Sequence, residues 1–348
     1  MKKFILLTFF CATIAFLISC GEEKFFDHTE ISHYVLAASK EEPFIVSLIN
    51  LPENEIEIAD IISKFNRLQL TKPVENILVF RDEIFLFIPE NFQILILDVE
   101  AYTIKSSVDF SSTNEKPISA CFPNATDCYI IHRDGNSVSL LDLTNYQIAR
   151  KISVGKGTSS ISVAGNQIFV TNKIDNTVSI VDSRTHEEEA VVPVPKKPAF
   201  VDISADNKKA AVVCLGDGKE GGTEAKSEAM LAIIDIESRA VSDEQAIGLG
   251  IYKADEQIPR CFAVSNVGFG FISTQQALFR ADIRRDGKIS LAERGDFSKL
   301  LFDFKTEEIL MWKHIDSKLY LRYSSPSTGA EHSSYRFDSK YSVFFPLK

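Results

Sequence analysis

The amino-acid sequence predicts an all-β protein assembled from seven copies of one four-stranded unit. Three observations predict it. Short β-branched and aromatic runs recur along the chain, separated by Asn, Asp, Gly and Pro. A marker Asp or Asn closes one strand of each unit, at Asn50, Asp98, Asp142, Asp182, Asp235, Asp282 and Asp338. Successive markers therefore fall 40 to 56 residues apart. No helical pattern and no linker interrupts the series. A unit of that length, with faces that only a neighbour can bury, is the signature of a β-propeller. Seven markers count seven antiparallel blades, with six or eight as alternatives because the end copies are degenerate.

The units follow in order. His33 to Ala38, Phe44 to Ile49 and Glu55 to Ile61 form the first set, the last alternating apolar and acidic residues as an outer strand should. Ile84 to Ile88 pairs with Phe92 to Leu97, and Cys128 to His132 with Ser137 to Leu141. Ile168 to Thr171 and Thr177 to Val181 flank a polar turn and make the clearest hairpin. Ala210 to Leu215 pairs with Met230 to Ile234, and Gly268 to Ser273 with Ala277 to Ala281. In the last unit Leu319 to Tyr323 precedes Ser334 to Phe337, which places Trp312 on an inner strand as a core residue.

The chain has 348 residues, 45% of them hydrophobic, which is enough to build a full core. The formal net charge is −10, so no global basic field exists to hold nucleic acid. Lys2 and Lys3 precede an apolar run from Phe4 to Ile18, too short to span a bilayer. The run ends Leu17-Ile18-Ser19-Cys20-Gly21, which resembles the bacterial lipobox. The resemblance implies cleavage after Ser19, diacylglycerol on Cys20 and a membrane-anchored mature chain. The expected layout is a signal peptide over residues 1–19, a lipidated tether over 20–30 and the propeller over 31–348. The expected location is the cell envelope, on the outer membrane rather than the inner, facing periplasm or cell surface.

Phe169-Val170-Thr171-Asn172, followed by Asp175-Asn176-Thr177-Val178-Ser179-Ile180-Val181-Asp182, resembles the YVTN β-propeller repeat. Asn136 to Asp142 with Ile152-Ser153-Val154-Gly155 is a weaker copy, and Val201 to Lys208 resembles the family's strand-and-turn "vavSPDGk". The likeness covers roughly residues 115 to 240. It implies a bacterial envelope propeller and carries no catalytic set. It also implies that strand a of each blade lines the channel, that strand d is outermost, and that b–c and d–a loops share one rim.

Five groups of residues are candidate sites. A basic residue stands at each entry to an inner strand: Lys72, Lys116, Lys156, Lys197 and Arg260. In a closed ring these form a collar able to attract an anion or acidic segment, although Pro or Gly turn chemistry explains the same positions. Lys173 and Asp175, with Gly216, Asp217 and Lys219 of the Gly-rich insertion 216–228, belong to the same rim. Asp282, Asp286 and Glu293 fit three positions of a calcium loop, but Arg284 replaces a ligand and an Asp-Gly hairpin accounts for the segment. Cys121 and Cys128 are a candidate disulfide across a hairpin, or small buried apolar residues. Cys20 is the lipidation site. No cofactor motif is present.

These features predict a binding or scaffold module, held to a membrane by Cys20, with a protein, glycan or small anion as partner. The alternative is an envelope enzyme, lactonase-like or quinoprotein-like, with its site at the channel mouth. The b–c loops offer Glu90, Asp134 and Asp175 for such a site, yet acidic turn residues are expected there anyway.

Overall fold

In the computed structural model the described residues are 34–53, 55–217, 228–247, 258–303, 306–315, 318–327, 331–337 and 340–347. They form seven separate four-stranded antiparallel sheets. The second blade contains β4 (Asn76–Phe80), β5 (Glu83–Ile88), β6 (Gln93–Asp98) and β7 (Ile104–Asp109). The third contains β8 (Pro117–Cys121), β9 (Asp127–His132), β10 (Ser137–Asp142) and β11 (Gln147–Ser153). The fourth contains β12 (Thr158–Ala164), β13 (Gln167–Asn172), β14 (Thr177–Asp182) and β15 (Glu187–Pro193). The fifth contains β16 (Pro198–Ile203), β17 (Lys209–Cys214), β18 (Met230–Asp235) and β19 (Ala240–Ala246). The sixth contains β20 (Cys261–Val264), β21 (Phe269–Ser273), β22 (Ala277–Asp282) and β23 (Ile289–Arg294). The seventh contains β24 (Asp296–Asp303), β25 (Glu308–Ile315), β26 (Lys318–Ser324) and β27 (Glu331–Phe337).

The first blade is built from both ends of the ring. Its strands b, c and d are β1 (Tyr34–Ser39), β2 (Val46–Asn50) and β3 (Glu55–Ile58), and its inner strand is β28 (Tyr341–Leu347). Tyr34 pairs with Leu347 and Ala38 with Val343, so the last strand closes the circle. This closure corrects the reading of the last copy. Lys318–Ser324 is strand c and Glu331–Phe337 strand d, so the position after Phe337 follows an outer strand. Asp338 itself lies outside the described residues. Trp312 sits on strand b, buried, with its ring edge-on to Phe344 of the closing strand at 5.4 Å.

Apolar layers between neighbouring blades hold the ring. One layer joins Leu36 and Leu48 of the first blade to Leu86 and Leu95 of the second. Others run from Phe85 to Ile130, from Ile131 to Val170, from Ile180 to Val212, from Ile233 to Phe279 and from Phe271 to Met311. Strands b and c are buried on both faces, which explains their continuous apolar runs. Each fully buried large side chain contributes about 1.5–3 kcal/mol. Strands d alternate or stay exposed, because only one face meets a neighbour.

The repeated Asp has a local cause. At each of four c–d turns its carboxylate accepts a backbone N–H two or three residues on: Ala101 to Asp98 at 2.8 Å, Thr144 to Asp142 at 2.8 Å, Arg184 to Asp182 at 2.6 Å and Ser238 to Asp235 at 2.9 Å. Its own carbonyl accepts the N–H of a left-handed residue: Tyr102, Tyr146, His186 or Arg239. The marker is therefore an Asx cap that turns the chain into strand d. Bonds to the ionised form pull all four carboxyls down: backbone N–H groups lead at Asp98 and at Asp235, which falls to about 2, whereas the Thr144 hydroxyl leads at Asp142 and the Arg184 guanidinium at Asp182.

One helix departs from the expected all-strand pattern. The first outer strand stops at Ile58, and α1 (Ile61–Asn66) follows. Asp60 caps it by accepting the Ile62 N–H at 3.1 Å, and Ile61 and Ile62 bury against the first interblade layer. Arg67 ends it in the left-handed conformation.

Candidate functional site

Strand direction divides the ring's edges. The a–b and c–d turns lie on one rim, the turn rim. The b–c and d–a loops lie on the other, the loop rim. Backbone bonds tie the two loop types together: Arg133 N–H donates to Lys116 carbonyl at 2.8 Å, Lys173 to Gly157 at 2.8 Å and Leu215 to Lys197 at 2.9 Å. In these three blades the b–c turn is thus seated on the loop that enters its own inner strand.

The expected basic collar is on this rim but is not a field of free cations. Lys116 Nζ donates to Glu90 at 2.8 Å, and Arg133 bridges Glu90 and Glu75. Asp217 lies against Lys196, with Lys197 at 3.6 Å. Arg260 pairs with Asp296 at 2.6 Å. Lys156 keeps an exposed side chain, while its backbone N–H donates to Asp175 at 2.8 Å. Lys72 is exposed on the segment preceding Pro73. The adjacent Lys116 ammonium and Arg133 guanidinium hold Glu90 below the usual carboxylate range, and Lys196 does the same for Asp217. Residue spacing found the cations, and Glu90 and Asp217 were legible as rim residues, but their pairing was not, and Glu75 and Asp296 were missed, because the partners come from different loops.

Lys173 and Asp175 occupy the b–c turn of the fourth blade, beside an exposed Ile174. Asn176 is left-handed there and accepts the Lys197 N–H at 2.8 Å, linking neighbouring blades. Gly216 is also left-handed, donating to the Lys196 carbonyl at 3.0 Å. Lys219 lies outside the described residues, as do Cys20 and the whole of 1–33.

The channel holds a second set that sequence reasoning passed over. Free inner edges are met by side chains from the preceding blade. Asn76 donates to the Ile118 carbonyl at 3.2 Å, Ser159 to the Pro198 carbonyl at 3.0 Å and Cys261 to the Leu300 carbonyl at 3.4 Å. Asp202 accepts the Val264 N–H at 2.8 Å and the Ile203 N–H at 2.9 Å. Burial outweighs those bonds and pushes Asp202 up to about 6. Burial lowers Lys299 on β24, although Cys261 and Glu75 lie near enough to oppose it, and raises the Cys261 thiol. Asp202, Cys261 and Lys299 come from three successive inner strands, so the channel carries an acid, a thiol and an amine. The one legible signal was a charged residue inside an apolar strand, as in Phe297-Ser298-Lys299-Leu300-Leu301.

The remaining candidates separate. Asp282 closes β22 and pairs with Arg284 at 3.3 Å, and Asp286 accepts the Lys288 N–H at 3.1 Å. Glu293 stands opposite Leu278, at the far end of that hairpin from Asp282, and pairs with Arg322 at 2.7 Å. Among the described residues no group of three His, Cys, Asp or Glu side chains converges on a metal position. Cys121 and Cys128 are free thiols, which corrects the candidate disulfide. Cys121 opposes Tyr129 in the register, so the two cysteines point to opposite sheet faces and into different apolar layers. Burial pushes both thiols up. His132 is buried against Ser139, and desolvation lowers it to about 4, which keeps it neutral. On the turn rim a hollow of about 490 Å³ is lined by Gln167, Lys208, Asp235 and Arg239, whose Asp235 already caps its own turn.

No protein-family model matches the chain, and no curated protein matches it in sequence. Among solved structures it is similar to hydrazine synthase of Kuenenia stuttgartiensis, with a TM-score of 0.60 and 15% identity over 72% of this chain and 76% of that one. At that identity the likeness bears on the fold alone: a propeller of seven four-stranded blades.

Proposed function

We propose that this chain is a lipid-anchored cell-envelope propeller that binds a partner through its loop rim. The observation that carries the reading is where charge is matched. On the loop rim Glu75, Glu90, Lys116, Arg133, Lys197 and Asp217 meet only across separate loops. On the turn rim the marker Asp carboxylates are engaged first by their own turns, to which Lys209 on Asp235 at 3.1 Å and the Arg239–Glu189 pair at 2.6 Å are added. Paired charges leave little attraction for a small free anion, and they favour a protein surface of mixed charge. The lipobox-like Leu17 to Gly21 supports the anchor, on the outer membrane and facing periplasm or cell surface.

A photo-crosslinking side chain at Ile174, 60% exposed on the loop rim, tests the reading in intact cells. It should give a discrete protein adduct that Lys116→Glu with Lys197→Glu abolishes. A label at Leu291, on an outer strand, should give none. Equal adducts from both positions would refute rim binding.

The channel favours a second reading. Asp202 at about 6 lies near the Cys261 thiol, which in turn neighbours the Lys299 amine, and such a set is suited to moving protons along the channel, as an envelope enzyme needs. Binding that survives the double charge reversal but is lost in Lys299→Met would select it.

A further inference from the structure

A second surface lies beside the point where the described chain begins. α1 and the residues after it present Lys64, Phe65, Arg67 and Leu68, with Phe65 39% and Leu68 40% exposed. The Lys64 ammonium sits 5.1 Å from the Phe65 ring centroid. The segment is held firmly: Asn66 donates to the Tyr102 carbonyl at 2.9 Å and accepts the Ile104 N–H at 2.7 Å. Tyr102 lies in the c–d turn of the second blade and Ile104 opens its strand d, so the segment is fixed at the turn rim. The rings of Phe65 and Tyr102 are 5.7 Å apart, and Tyr102 and Tyr34 flank the same apolar layer. Tyr34 is the first described residue, and its pairing with Asn50 also places it at the turn rim. Glu57 borders the patch at the Tyr102 hydroxyl.

We infer that Phe65 and Leu68 dock the ring on the anionic bilayer that holds Cys20, turning the loop rim away from that membrane. This rests on the lipid-anchored reading above. Thirteen residues lie between Cys20 and Tyr34, a span of at most about 50 Å. Tethering at that range gives an effective concentration of about a millimolar, so two apolar side chains suffice to fix an orientation. Aromatic and aliphatic tips flanked by Lys and Arg suit the headgroup boundary, where the cations meet phosphates and the rings meet acyl chains.

The test uses the full lipoprotein in vesicles of phosphatidylethanolamine and phosphatidylglycerol with brominated chains. Trp312 is buried, so an added Trp reports its own depth. Phe65→Trp should lose about half its emission to the bromines, as a side chain at the acyl boundary would. Ile174→Trp, on the opposite rim, should lose none. Flotation of the same samples reports the anchor separately. Protein that floats with Phe65→Trp unquenched, or with Ile174→Trp quenched equally, overturns the docking and leaves the anchor standing. Protein that fails to float overturns the anchor, and the docking with it.

Discussion

On the turn rim a carboxylate meets N–H groups two or three positions along its own chain, as Asp98 does with Glu100 and Ala101. On the loop rim Glu90 meets Lys116 and Arg133, 26 and 43 residues away. The same side-chain chemistry therefore serves two ends. The turn rim is wired locally at its marker Asp, which is why that Asp recurs, and longer pairs such as Arg239 with Glu189 are added to that local cap. The loop rim is wired between loops, so its residues are free to differ from blade to blade without undoing the fold. A surface that can vary while the scaffold stays fixed is where recognition belongs.

The largest expected effect removes the frame on which both rims depend. Ending the chain at Lys340 deletes β28 and with it the buried Tyr341, Val343, Phe344 and Leu347. At about 1.5–3 kcal/mol each, the loss is about 6 kcal/mol or more, and the cooperative thermal transition should vanish in calorimetry. A truncated chain that still melts cooperatively would mean that ring closure is dispensable.

Asp182→Ala strikes the turn rim alone. It removes the cap to the Arg184 N–H and should cost about 1–2 kcal/mol in urea denaturation. A cost near zero would reduce the recurring Asp to ornament and break the contrast between rims. The double reversal Lys116→Glu with Lys197→Glu, on the loop rim, should by contrast shift stability by only about 0.5 kcal/mol, since exposed pairs are weak.

The pH dependence should separate the channel from the turn rim. The turn-rim carboxyls are lowered, so their contribution is present above the ordinary Asp range and is lost as pH falls toward 2. Asp202 is raised, so the folded state holds its proton more tightly than the unfolded chain. Its contribution is complete below about pH 4 and is lost as pH rises through about 6. Asp202→Asn should flatten the stability profile between those values and leave the acid limb unchanged. An unaltered slope from pH 4 to 6 would show that Asp202 does not titrate there.

Much of the scaffold was readable from residues alone. Period-2 patterning, Asn and Asp turns and the marker spacing were enough for the blades from Asn76 to Arg294. Reading failed where the chain's ends meet. Lys318–Ser324 and Tyr341–Leu347 look like any other strands, and only pairing with Tyr34–Ser39 shows that the last blade must end one strand earlier. The helix at Ile61–Asn66 was missed because its six residues are too few to display a period. The loop rim was half legible: Lys116 and Lys197 were found by spacing, whereas Glu75, Arg133 and Asp296 were not.

The sequence by itself determined the β class, the repeat and the local turns, because each depends on neighbours within a few residues. Tertiary structure decided the rest. It split Cys121 and Cys128 between opposite faces, paired the collar cations with distant carboxylates, and gathered Asp202, Cys261 and Lys299 around one channel. Those outcomes depend on which loops a closed ring brings together, and on how far burial outweighs hydrogen bonding at each charge. Neither quantity is carried by any local run of residues.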